Sequence, residues 1–181
     1  HYARRAYSPV LISPYMDGEK VSVKAISDKA EAFEGRMEAF IMDFDGDILW
    51  NETTGFRLQA DESADLMSVD TALLDGNRLL YVRILKDGVT VSENTFYTRF
   101  PKEYEYGCPE ISFEVQECAE GLELTVSSDR LARGLYLFSD NADDFFEDNY
   151  MDLLPGFPRK ITVRTGSTAE EFKTTLKYQT L

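Results

Sequence analysis

The stretch LDGNRLLYVRILKDGV (residues 74–89) decides the fold class. Its centre, LLYVRIL (79–85), reads as a strand in which apolar and polar positions alternate with period two. That period sends successive side chains to opposite faces of a sheet. An Asp-Gly pair stands on each side, in LDGN (74–77) and KDGV (86–89). Asp-Gly between alternating runs signals a hairpin, because glycine takes φ > 0 without steric cost.

Working outward, VSVKAIS (21–27) and RMEAFIMDF (36–44) alternate in the same way, with turn signals at MDGEK (16–20) and DFDGD (43–47). About seven strands fit before residue 100. The segment FPKEYEYGCP (100–109) then interrupts the alternation with two prolines, a glycine and charge. A second set follows: ISFEVQE (111–117), LELTVSS (122–128), GLYLFSD (134–140), NYMDLLPG (149–156), RKITVRT (159–165) and FKTTLKYQT (172–180). Short strands at this spacing predict an all-β protein of two tandem immunoglobulin-like β-sandwich domains, over 9–106 and 107–181. DKAEAFEGR (28–36) reads as a loop with at most one helical turn. Residues 1–8 read as the end of a helix, stopped at Ser8-Pro9 because a residue before proline is pushed out of the α region.

The chain has 181 residues and a formal charge of −14. Lys and Arg number 12 up to residue 106 and 7 beyond it, acids 19 and 14, so each half carries −7 and neither is a charged tail. An acidic surface repels phosphate backbones and anionic lipid, which argues against nucleic acid and membrane as partners. No apolar run nears the roughly 20 residues of a membrane-spanning helix. Cys108 and Cys118 flank a single expected strand, whose ends lie about 30 Å apart at the usual rise. A disulfide needs Cα atoms within about 7 Å, so the expectation is two free, buried thiols. Free thiols suit a reducing or disulfide-indifferent compartment.

Chemistry-bearing patterns are few. Asp43, Asp45 and Asp47 share the spacing of a calcium loop, but Gly46 stands fourth and Thr54 twelfth, where an EF-hand needs glycine sixth and glutamate twelfth. A hairpin with solvated acids is the expected structure. SDNADDFFEDN (139–149) offers oxygen ligands, yet reads as an interstrand loop with Phe145 and Phe146 covering one end of a sandwich. The sole histidine is His1, which leaves no Ser-His or Cys-His pair inside an ordered core. No phosphate loop and no Cys/His cluster for zinc occur. The acids fall in turns or at polar strand positions, where a carboxyl is solvated rather than raised in pKa for catalysis. No catalytic, cofactor-binding or metal residue is therefore assigned. Trp50, Phe56, Tyr97 and Tyr104 lie beside polar residues and are candidates for stacking on sugar rings; the alternative, favoured here, is packing, since aromatics carry large buried area.

Three stretches together resemble one family. HYARRAYSPVLIS (1–13) resembles the segment that leaves the catalytic barrel of family 2 glycoside hydrolases of the β-mannosidase type. ENTFYTRFPKEYEYGCPEISFEV (93–115) resembles the run that ends the next sandwich and starts the last one. GLYLFSDNADDFFEDNYMDLLPGFPRKITVRT (134–165) resembles the closing immunoglobulin-like domain, through Asp148-Asn149, Tyr150, the run Asp152 to Gly156, and Arg159. The acidic loop is longer than the usual pattern, and Phe157-Pro158 replaces an acidic position. The resemblance implies a chain cut from a longer polypeptide just after the barrel. It implies a parent that releases terminal β-mannosyl residues with retention, using two glutamates in that barrel and none here. The implied partners are the catalytic barrel of the same polypeptide, carbohydrate, and other copies through the parent. The implied compartment is periplasmic or secreted, with the cytoplasm as the alternative. Within the motif, Asp152 is expected to fix the turn through backbone amides, Pro155 to set φ and Gly156 to supply positive φ.

Overall fold

The structure is a computed structural model that describes residues 9–181; the expected helix end at 1–8 lies outside the described residues. It divides into two compact units. Among the described residues, one comprises 9–43 together with Asp47–Glu105; the other comprises Phe44–Gly46 and Tyr106–Leu181. No helix among the described residues is long and apolar enough to cross a membrane.

The first unit has seven strands: β1 (Val10–Asp17), β2 (Lys20–Ser27), β3 (Phe33–Asp43), β4 (Ile48–Leu58), β5 (Ser63–Asp70), β6 (Arg78–Lys86) and β7 (Val89–Phe96). They form an antiparallel sheet β1-β2-β5 and another in the order β4-β3-β6-β7. Period two is realised on the inner face: Val21, Val23 and Ala25 of β2, Met37, Ala39 and Ile41 of β3, and Leu80, Val82 and Ile84 of β6 join one core. Burying one such aliphatic side chain stabilises by about 1.5–3 kcal/mol. The β6–β7 hairpin closes through Asp87 at φ 52° and Gly88 at φ 80°. Two successive positive values are the signature of a type I′ turn, whose twist matches the strands it joins.

β6 departs from simple alternation. Its other face is also covered, with Leu79 and Tyr81 buried. The Tyr81 hydroxyl donates to Glu93. Arg83 donates twice to Glu38 Oε2, from Nε at 2.9 Å and Nη2 at 2.7 Å. A central strand can thus carry an arginine only where a cross-strand carboxylate meets it.

At 28–36 the expected loop ends early, because β3 already starts at Phe33. The Phe33 ring enters the core and packs near Phe56, with centroids 6.0 Å apart. Gly35 makes room for that ring: a Cβ there would lie 2.7 Å from Phe33 Cε1. Burial of one aromatic outweighs the helix propensity of the Ala and Glu residues before it.

The second unit has β8 (Ile111–Cys118), β9 (Gly121–Ser128), β10 (Ala132–Ser139), β11 (Phe145–Phe146), β12 (Met151–Leu153), β13 (Arg159–Arg164) and β14 (Leu176–Gln179). Its sheets run β11-β13-β9-β8 and β12-β10-β14. Their shared core includes Leu122, Leu124, Leu135, Leu137, Ile161, Val163 and Phe172. The expected strand over 172–180 is instead a helix, α1 (Ala169–Thr175), followed by the short β14. Ala169, Phe172 and Leu176 recur at helical spacing and all pack on the core. Thr168 and Glu171 form a capping box: Glu171 N donates to Thr168 Oγ1 at 3.3 Å and Thr168 N to Glu171 Oε2 at 2.9 Å. Both thiols are free, as expected, but Cys108 and Cys118 are exposed rather than buried. They stand just before and at the end of β8, where the strand leaves the core.

Two carboxyls of α1 titrate below the usual carboxylate range: Glu171 through hydrogen bonds from Thr168, and Glu170 through its bond and ion pair with Lys173. Folded values below the unfolded ones mean that the stabilisation is present above the unfolded pKa and is lost as pH falls through the folded one. Amide exchange in α1, corrected for intrinsic rates, should therefore speed up below about pH 4. A chain carrying Glu170→Gln and Glu171→Gln should lack that step.

Candidate functional site

None of the four aromatics singled out in the sequence forms an open stacking surface. Trp50 and Phe56 lie half-buried against the core of the first unit. Tyr104 is buried; its ring packs edge-on against Tyr97 at 5.9 Å, and its hydroxyl accepts from Arg99 N at 3.1 Å. The Arg99 guanidinium sits 4.5 Å from the same ring. These residues shape the fold.

The two acidic stretches close on themselves. Asp43 Oδ1 accepts from Asp47 N at 2.9 Å and Asp43 N donates to Asp47 O at 3.1 Å, which makes the expected hairpin. Asp45 pairs with Arg130 at 3.3 Å. In the longer loop, Asp144 accepts from Ser139 Oγ at 2.6 Å and from Asn141 Nδ2 at 2.9 Å. Asp140 takes Lys177, and Glu147 takes Arg164 at 2.9 Å. Of the two phenylalanines expected to cover the sandwich end, only Phe146 is buried; Phe145 is exposed beside Arg164. Among the described residues no group of three His, Cys, Asp or Glu is placed to hold a metal ion. In the first unit, the Tyr15 hydroxyl donates to Asp65 at 2.9 Å. That bond, with some burial and the carboxylate's charge, raises the phenol above its ordinary range.

What the structure does bring together is an aromatic cluster on the outer face of β12-β10-β14. Leu135 and Leu137 point into the core, so Tyr136 and Phe138 point out. Their rings stack with centroids 5.5 Å apart and planes 18° apart. Tyr150, which precedes β12, stacks on Tyr136 at 4.6 Å and 18°. Across the sheet, β14 sets Gln179 opposite Tyr136 and Lys177 opposite Phe138. Sequence reasoning missed this trio because GLYLFSD is apolar on both faces. The signal was there in the alternation of aromatic and leucine.

A side-chain clasp holds the cluster. β12 pairs with β10 only at Ala132–Leu153 and Leu135–Met151, with a register shift near Gly134. At the next antiparallel position the side chain of Asn149 replaces a backbone partner. Its Oδ1 accepts from Leu137 N and its Nδ2 donates to Leu137 O, both at 2.7 Å. Asn149 is 5% exposed, so both bonds lie in the interior. This shortens the expected strand 149–156 to three residues. It also fixes Tyr150, whose φ of 54° is rare for an aromatic residue. Asp152 Oδ1 accepts from Gly134 N at 2.9 Å, so it braces the irregular part of β10 as well as lying in the motif. The turn itself closes by Phe157 N donating to Leu154 O at 3.1 Å, with Pro155 in its second place and Gly156 at φ 78° in its third. Only glycine takes that angle cheaply, as expected from the motif.

With this geometry in hand, comparison with known proteins places both halves. Residues 19–103 match the family model of the mannosidase Ig/CBM-like domain, and residues 108–181 that of the mannosidase Ig-fold domain. The chain thus consists of two immunoglobulin-like domains of mannosidase families, carried in tandem. Among solved structures, β-D-mannosidase from Dictyoglomus thermophilum superposes with a TM-score of 0.89 at 21% identity, over 99% of this chain and 22% of that one. An exo-chitosanase from Amycolatopsis orientalis superposes with a TM-score of 0.66 at 17% identity, over 98% of this chain and 26% of that one. Likeness at such identities is likeness of fold. The chain spans about a quarter or less of the length of these proteins. None of the curated proteins compared matches the chain.

Removing the clasp leaves an N–H and a C=O of Leu137 buried without their partner, at about 1–3 kcal/mol for each group. Asn149→Ala should therefore destabilise the second unit by about 2–6 kcal/mol in urea melts. Asp152→Ala, which uncovers one half-buried N–H, should cost about 1 kcal/mol. A wild-type midpoint for Asn149→Ala would refute the clasp.

Proposed function

We propose that this chain serves as the non-catalytic accessory portion of a glycoside hydrolase that removes terminal β-mannosyl residues with retention. The observation that carries the reading is the order of the two domains, a mannosidase Ig/CBM-like domain followed by an Ig-fold domain of mannosidases. Its partner is then a catalytic barrel in the same polypeptide, and the two sandwiches stabilise the enzyme and shape its periphery. No residue of the chain takes part in bond cleavage on this reading. A retaining glycosidase holds two carboxyls about 5–5.5 Å apart across the sugar, one of them in apolar surroundings that raise its pKa. The acids of this chain instead serve turns and cross-strand ion pairs, such as Asp43 in its hairpin and Glu38 with Arg83.

Two assays with p-nitrophenyl β-D-mannoside test both parts. The purified chain should release nitrophenol no faster than buffer. The native polypeptide, captured from source cells with antibody against this chain, should release it readily. Activity of the chain that survives repurification would overturn the accessory role. An inactive captured polypeptide would overturn the mannoside assignment.

A further inference from the structure

We infer that the outer face of β12-β10-β14 is a binding platform for a neutral β-linked hexopyranose glycan, with Tyr150 as its principal stacking ring. The choice of sugar rests on the function proposed above; the site rests on its own geometry. Tyr150 is 48% exposed, yet its backbone is held in the left-handed region at φ 54°. A non-glycine residue keeps that conformation only where its surroundings over-determine it, and such residues cluster at functional sites. Here the buried Asn149 amide does so, through its two bonds to Leu137. Tyr136 supports the ring from one side at 4.6 Å and is itself backed by Phe138. The ring is therefore ordered before any ligand arrives, which lowers the entropic cost of binding.

The chemistry around the rings selects the ligand. A pyranose presents an apolar C–H face to an aromatic ring and a rim of hydroxyls to polar side chains. Gln179, opposite Tyr136, offers both a donor and an acceptor, and Lys177, opposite Phe138 and paired with Asp140, keeps its remaining N–H donors. Those polar partners, one of them charged, suit a sugar rim better than the core of a protein interface, which is depleted in charge. A net charge of −14, shared by both halves of the chain, disfavours an anionic ligand. A neutral glycan meets both conditions.

Affinity electrophoresis of the whole chain in gels containing soluble glucomannan tests the platform, with a polymer-free gel and a polygalacturonate gel alongside. The chain should be retarded by glucomannan and not by polygalacturonate. Tyr150→Asn removes the ring but keeps a residue that tolerates positive φ, so it should fold with an unchanged melting temperature. It should need roughly fivefold more polymer for the same retardation. Tyr150→Phe should bind like the wild type. Equal mobility with and without glucomannan would overturn the proposal, as would retardation that Tyr150→Asn leaves unchanged. Because hydrolysis of the aryl mannoside is read on the captured polypeptide, failure here leaves that assignment standing, and the two can be told apart.

Discussion

A two-layer sandwich allows each strand one buried face, and that constraint governs nearly every feature of this chain. Where a strand obeys it, as in β2, the sequence alternates and the inner residues form the core without further devices. Where a strand is covered on both faces, a polar residue has to bring its own partner. Arg83 does so with Glu38, and Tyr81 with Glu93. Where the ladder fails, a side chain has to complete it. Asn149 is that case, since its amide carries one acceptor and one donor at the spacing of a peptide group. These are one response to one rule: buried backbone and side-chain polar groups must find partners.

The same rule sets how much could be read before the structure was known. The strands 21–27, 36–44 and 79–85 and their Asp-Gly turns were legible because period two and positive-φ residues are local properties. Helix α1 was not, although Thr168 and Glu171 spell a capping box, because the run after it resembles a strand and the deciding burial of Phe172 is a tertiary fact. Around Phe33 a loop was expected and a strand begins, because the burial of one ring is again a tertiary fact. The placement of Cys108 and Cys118 failed for a related reason. Cysteine is commonly buried, but a residue at a strand end leaves the core whatever its type.

The candidate site was the least legible part. Counting aromatics drew attention to the first unit, where the rings pack, the outcome favoured from the sequence. The outward-facing rings of the cluster lie in GLYLFSD, where Leu135 and Leu137 alternate with the half-buried Tyr136 and Phe138, and alternation alone does not say which face is inside. Tyr150 joins them only because Asn149 turns the chain into the left-handed region. The motif around it was recognisable as a pattern, and its physical content emerged only as a cross-strand clasp. Family likeness and geometry therefore contribute different things. The former assigns the domains to immunoglobulin-like families of mannosidases, and the latter shows which face of the second domain carries an aromatic cluster.

The two exposed thiols give the molecule a property unrelated to sugars. Cys108 precedes β8 and Cys118 ends it, and an extended strand of that length holds them about 30 Å apart. They cannot close on each other. A protein with two reactive ends that never meet is a difunctional monomer in the polymer chemist's sense. Under an oxidant it grows by linkage to other copies, into linear oligomers rather than a sealed single chain, so handling the folded protein calls for a reductant throughout.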